Sequence, residues 1–228
     1  MCQSQFDLAA FSKAWTDAQS KEDQKRPRWG VFPTNDIQAL EQKRAKVARE
    51  RHIWVEHRQP FMAHMLERIG FLDETWLKTN MAKTTGWAPR GQRLVDHAPF
   101  GHWRTQTFVA TLRHDRLEAP WVIDGTMNSA TFEAYVETQL APTLDKGDVI
   151  ILDNLSSHKS ARAAEVLRDR GAWFLFLPPY SPNLNPIEMA FSKLKALIRK
   201  AAARTYEDLW QAVGHVCDLF SDEQCFNF

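Results

Sequence analysis

Residues 149–160 read VIILDNLSSHKS, and residues 172–195 read AWFLFLPPYSPNLNPIEMAFSKLK. Val149 to Leu152 is four apolar residues, the first three β-branched, stopped at Asp153-Asn154. Trp173 to Leu177 is a second such run, closed by Pro178-Pro179. Short apolar runs bounded by turn residues are the mark of strands buried on both faces. Between them Ser157 is placed to cap a helix that Gly171 ends, and after the proline loop 178–185 a helix runs from Pro186 to about Ala203. A strand, a helix, a parallel strand and a helix in succession predict an α/β sheet.

Outward from this stretch the pattern holds. Asn128 or Ser129 caps a helix with Phe132, Tyr135, Val136 and Leu140 on one face, and a last helix spans about Tyr206 to Leu219. Upstream, Leu66 to Leu77 reads as a strand ending at Asp73, His102 to Leu112 alternates Thr and apolar residues, and Trp121-Val122-Ile123 is a short third strand. Connections of hairpin length would make these three an antiparallel meander. Pro89-Arg90-Gly91 reads as a turn with Pro second and Gly fourth. The order predicts an α/β ribonuclease-H-like fold, a mixed five-stranded sheet flanked by helices, over residues 63–228. Residues 1–62 read as a helical appendage: a short helix around Phe6, Leu8, Phe11 and Trp15, then a charged helix from Asp36 to about Val55, ended by Pro60.

Composition narrows the classes. The chain has 228 residues, 44% hydrophobic and 25% charged, with a net charge of +1. That mixture excludes a disordered chain and gives no overall basicity. Neither a signal peptide nor an apolar run of membrane-spanning length is visible, so a cytoplasmic protein is expected. Three cysteines without C-x-x-C spacing exclude a cysteine zinc site. Charge is uneven along the chain: residues 189–206 carry five Lys or Arg and no acid, and residues 207–228 five acids and no Lys or Arg. Such a run is ordinarily a solvated helix face unless a polyanion lies beside it.

Three carboxylates fall where open α/β sheets build sites: Asp73, Asp153 and Glu188. With the first strand central and the fourth paired to it, Asp73 and Asp153 come side by side. Close carboxylates raise each other's pKa unless a cation compensates, and hard oxygen donors select Mg²⁺ or Mn²⁺. Each acid also has a local reading. Asp73 and Asp153 can bond nearby amides, and Glu188 falls at N3 of a capping box if Asn185 is the N-cap and Pro186 the N1 residue. No D-x-D follows either strand, and neither a phosphate-cradling G-x-x-x-x-G-K-[ST] nor a G-x-G-x-x-G is present. Asn154 and His158 flank Asp153 as groups that support or cap it or, alternatively, touch metal or phosphate, and Glu74 reads as a structural or supporting group.

The segments FLDETW (71–76), GWAPRGQR (86–93), VIILDNLSSHKS (149–160) and LPPYSPNLNPIEMAFSKLK (177–195) together resemble a DDE-type transposase, of the bacterial insertion-sequence branch of the mariner superfamily. The resemblance covers about residues 65–228. It implies that Asp73, Asp153 and Glu188, the last two separated by 34 residues, are the catalytic acids and hold two divalent ions, Mg²⁺ or Mn²⁺. It implies DNA strand cleavage and strand transfer at the ends of an insertion sequence. The partners are then DNA, as terminal inverted repeats and target, and a second copy of the chain on that DNA, near the bacterial nucleoid. A polyanion gives the basic helix a role: Lys195 and Arg199 share a helix row with Glu188, and Lys193, Trp87 and Arg90 join them as candidate DNA contacts. Relatives carry helix-turn-helix domains ahead of the core, for which the leading 64 residues are too short, so a copy truncated at its N-terminus is expected. The alternative is a non-catalytic DNA-binding or regulatory remnant.

Overall fold

The computed structural model describes residues 40–83, 86–95, 97, 99 and 105–228. Five strands form one sheet: β1 (Ile69–Lys78), β2 (Thr105–Leu112), β3 (Leu117–Ile123), β4 (Val149–Leu152) and β5 (Trp173–Phe176), in the spatial order β3-β2-β1-β4-β5. The β1–β2 and β2–β3 pairs are antiparallel, while β1–β4 and β4–β5 are parallel. This is the mixed α/β sheet expected, with β1 at its centre.

Helices cover both faces. The main ones are α1 (Ala45–Ile53), α2 (Ser129–Tyr135), α3 (Ala161–Asp169), α4 (Ile187–Ala201), α5 (Tyr206–Cys217) and α6 (Asp222–Phe226). On one face Leu77, Phe108, Ala110 and Leu112 pack against Ile187, Phe191, Leu194 and Ile198 of α4 and Leu209 and Val213 of α5. Those four α4 side chains are at most 2% exposed. At roughly 1.5–3 kcal/mol each, an upper bound, their burial fixes the helix that carries Glu188. On the other face Leu72, Val109, Ile150 and Leu152 pack with Phe132, Tyr135, Leu140 and Leu167. A third cluster joins Trp54 and Met62 to Ile69, Val149, Ile151 and Leu177, so the helical segment after Ala45 lies against the sheet.

Several local expectations change. β1 does not end at Asp73 but runs on to Lys78, because β2 continues to pair with it as far as Lys78–Thr105. Its pairing with β4 stops at Phe71. The connection from β1 to β2 spans residues 79–104, far longer than a hairpin. Ser160, not Ser157, caps α3 by accepting from the Ala163 N–H; Ser156–His158 forms a separate 3₁₀ turn. Asn128 caps α2 as expected, and Gly171 (φ +74°) follows the C-terminus of α3. Pro60 does not terminate the first helix. A π-helical turn at Trp54–Arg58 precedes a last helical turn, Gln59–Met62, and widening the ladder there leaves room for a ring that lacks an N–H. The Pro89 turn shifts by one residue: Gln92 N–H donates to the Pro89 carbonyl and Gly91 takes φ +84° at the third position. α6 was not anticipated. The short N-terminal helix, the Asp36 cap and residues 102–104 of the second expected strand lie outside the described residues.

Candidate active site

The parallel register of β1 and β4 pairs Ile69 with Val149 and Phe71 with Ile151. Continued two residues, it sets Asp73 opposite Asp153, where the β4 pairing has ended. Asp73 accepts from its neighbour's Glu74 N–H at Oδ1 (2.8 Å) and from Asn185 Nδ2 at Oδ2 (2.8 Å). Burial, and then the charges of Glu74, Asp153 and Glu188, push its pKa up to about 8, against the lowering effect of the Glu74 N–H. All three neighbouring carboxylates therefore lie within electrostatic reach of Asp73.

Asp153 Oδ1 accepts from the Leu155 N–H (3.2 Å) and from His158 Nδ1 (2.6 Å). The second nitrogen of His158, Nε2, is 3.0 Å from Glu74 Oε2. This ring is 1% exposed and packs 4.8 Å from the Phe132 ring. Burial alone would lower its pKa; hydrogen bonds to Asp153 and Glu74 and their charges outweigh it and raise the value to about 9. At neutral pH His158 is thus an imidazolium donating from both nitrogens, a fixed cation between two carboxylates. The 3₁₀ turn that displaced the expected Ser157 cap is what turns this ring inward.

Glu188 sits exposed in the first turn of α4. The capping box does not form. Pro186 is the N-cap, no side chain caps the helix, and the Asn185 amide reaches instead to Asp73. Asn185 is 4% exposed, and its Oδ1 is buried with no partner among the described residues. It is a site residue that local capping rules misassign, because its partner lies 112 residues away. The loop before it is tied to the first helical segment. Arg51 donates to Ser181 Oγ (2.6 Å) and Asn183 Oδ1 (3.1 Å), and Gln42 Nε2 to the Tyr180 carbonyl (2.6 Å).

The candidate DNA contacts divide. Lys195 holds its ammonium 4.4 Å from the Trp76 ring centre; burial pulls its pKa down, with Glu188 opposing and Arg199 assisting. Lys193 instead donates to the Leu219 carbonyl (3.2 Å) and Gln224 Oε1 and lies over the Phe220 ring, bracing the C-terminal segment. Trp87 is 99% exposed and Arg90 is exposed beside it in the turn. Among the described residues no three His, Cys, Asp or Glu side chains already stand in metal-holding geometry. Asp153 is turned to His158. The donor set nevertheless suits a hard divalent cation, since Asp73 sits among three other carboxylates that raise its pKa.

A central β1 acid that feels the charges of an acid just past β4 and of a helical acid makes a candidate acid site on a ribonuclease-H-like sheet. Residues 68–210 match the DDE superfamily endonuclease family, and the chain belongs to it. Among solved structures it is similar to the Mos1 transposase paired-end complex with the left transposon end: TM-score 0.68, 18% identity, 96% of this chain and 65% of that one. It is similar also to the Mos1 mariner paired-end complex with Mn: TM-score 0.60, 16% identity, 97% of this chain and 66% of that one. The Mos1 catalytic domain gives TM-score 0.55 at 15% identity, over 84% of this chain and 89% of that one. At these identities the likeness is one of fold, the ribonuclease-H-like fold of that catalytic domain. The chain spans 65% of the length of the Mos1 transposase chain in the paired-end complex with the left transposon end. No curated protein matches it in sequence. No described helix is long and apolar enough to cross a membrane.

Proposed function

We propose that this chain is the catalytic region of a transposase, cutting and joining DNA strands at the terminal repeats of a bacterial insertion sequence of the mariner superfamily. The observation that carries this reading is that the charges of both Asp153 and Glu188 are felt at Asp73, each aspartate two residues past the last β1–β4 pair, in a chain of the DDE superfamily endonucleases. Asp73, Asp153 and Glu188 are the residues that would hold two divalent ions, and Mos1 structures named with Mg and Mn support that choice. Bound ions of this kind activate the attacking oxygen and stabilise the leaving one in an in-line displacement at phosphorus.

The remaining roles belong to this chain's own groups. Asn185 holds the Asp73 carboxylate by one oxygen and the Glu74 amide holds the other, fixing its plane. His158 steers Asp153 through a 2.6 Å hydrogen bond. Lys195 and Arg199, on the Glu188 row of α4, face the phosphates of a DNA strand lying across the acids, with Trp87 and Arg90 as outer contacts. The protein acts near the nucleoid as a homodimer on paired element ends.

Cleavage of a duplex carrying the element's own ends, with Mn²⁺ or Mg²⁺, tests this. The parent should nick; Asp153→Asn and Glu188→Gln should not. A parent that binds the ends yet leaves them uncut with either ion would be the regulatory remnant instead.

A further inference from the structure

Asn185 holds Asp73, and the loop that carries Asn185 is itself held by the helical segment ahead of the sheet. Residues 180–185 precede Ile187, the first buried residue of α4, so the apolar stripe that fixes α4 leaves them to other contacts. Arg51 Nη1 donates to Ser181 Oγ (2.6 Å) and Asn183 Oδ1 (3.1 Å), and Gln42 Nε2 donates to the Tyr180 carbonyl (2.6 Å). The Arg44 guanidinium lies 5.8 Å from the Tyr180 ring centre, and Leu184 packs against the cluster of Trp54 and Met62. Tyr180 takes φ +56°, a left-handed backbone that a tyrosine adopts only where its surroundings impose it. From there the turn is bonded to itself. The Leu184 N–H donates to the Ser181 carbonyl (3.0 Å), the Asn185 N–H to the Pro182 carbonyl (2.9 Å) and the Glu188 N–H to the Asn185 carbonyl (3.2 Å). Ser181 and Asn185 are 5% and 4% exposed. A shift of Ser181 therefore carries Asn185 Nδ2 with it, and so the Asp73 Oδ2 that this amide holds at 2.8 Å.

We infer that Arg51, assisted by Gln42, is a positioning residue for the divalent-ion site: it seats the 180–185 turn so that Asn185 holds the Asp73 carboxylate in one orientation. Arg51 touches none of the acids and takes no part in the chemical step. Its effect is on how tightly the acids hold an ion, in the way that groups behind a metal ligand fix the ligand's direction. This rests on the proposed metal-dependent cleavage and deepens it: the segment ahead of the sheet sets the affinity of the acid site for its ions.

The test is Mn²⁺ binding to the full chain without DNA, read from the electron paramagnetic resonance of the free ion. The parent should bind Mn²⁺, and Asp73→Asn should lose most of that binding. Arg51→Ala and Ser181→Ala, each checked for folding by circular dichroism, should bind about tenfold more weakly, the size expected when a group that orients a ligand is removed. Asn185→Ala should weaken binding at least as much, and adding Arg51→Ala to it should weaken it no further, because the two act in series. Arg113→Leu, which disturbs a buried network at the other end of β4, should lower the melting temperature and keep the parent affinity. Parent affinity in folded Arg51→Ala, or in Ser181→Ala where Arg51→Ala does not fold, overturns the inference and leaves the transposase reading standing. An equal loss in Arg113→Leu overturns it too, since the effect is then one of stability. A parent without Asp73-dependent Mn²⁺ binding overturns both.

Discussion

Replacing Asp73 by Asn should make the metal-free protein more stable at alkaline pH. The side chain keeps its shape and its amide oxygen can still accept from Asn185, while its NH2 gives up the bond from the Glu74 N–H; it no longer carries a charge that burial and three other carboxylates oppose. Its folded pKa of about 8 lies above its ordinary value of 3.8. The native state therefore holds a proton that the unfolded chain has released, and stability falls as pH rises between those two values. Over pH 5 to 8 the limiting slope of about 1.4 kcal/mol per unit gives a ceiling near 4 kcal/mol, and partial solvent contact reduces this to roughly 2–3 kcal/mol. For a chain of this size that is about 4–12 °C in melting temperature. His158 acts in the same direction. With its pKa raised to about 9 its contribution is complete below pH 6.5 and lost as pH rises through 9. That loss is shared by both proteins, so the difference between them isolates Asp73. Melting curves of parent and Asp73→Asn in EDTA, from pH 5 to 8, should diverge by that amount. Mg²⁺ should restore the parent most at pH 8, where the ionised carboxylate is available to it. Parallel pH profiles for the two proteins would refute this account of the acid cluster.

The buried network at the other end of β4 should matter for stability alone. Arg113 donates to Glu118 (2.5 Å) and Asp148 (2.6 Å), all nearly fully buried, so Arg113→Leu strands two carboxylates. The loss should be about 3 kcal/mol in urea unfolding, at the low end because Arg116 and Arg68 remain beside them. Arg51→Ala removes the bonds to Ser181 and Asn183 and should cost about 1–2 kcal/mol, with faster proteolytic nicking in the proline loop. Glu188→Gln, exposed and outside any cap, should change the metal-free melt by less than about 0.5 kcal/mol.

The parts legible in sequence are those decided by side chains close along the chain. The runs 149–152 and 173–176 gave two strands, the first buried throughout and the second, at the sheet edge, only half-buried; the Thr alternation gave β2, and the apolar row from Ile187 to Ile198 gave α4. From these the order of elements followed, and with it the meeting of Asp73 and Asp153. What escaped depends on distant partners. β1 outruns Asp73 because β2 pairs with it, which no property of 73–78 alone reveals. Asn185 has every local mark of an N-cap, yet a carboxylate on another element takes its amide. His158 stood beside Asp153 in the sequence, but its second partner, Glu74, appears only once β1 and β4 are adjacent. Lys193 shares the basic run with Lys195 while bracing the C-terminal segment, since one helix turns them to different neighbours.

The position of bound Mn²⁺, read from its anomalous scattering in crystals of the chain, tests the central claim most directly. The account predicts two peaks about 3.5–4 Å apart, contacted by the carboxylates of Asp73, Asp153 and Glu188. Manganese bound elsewhere on the surface, with the three acids left without a peak, would contradict it.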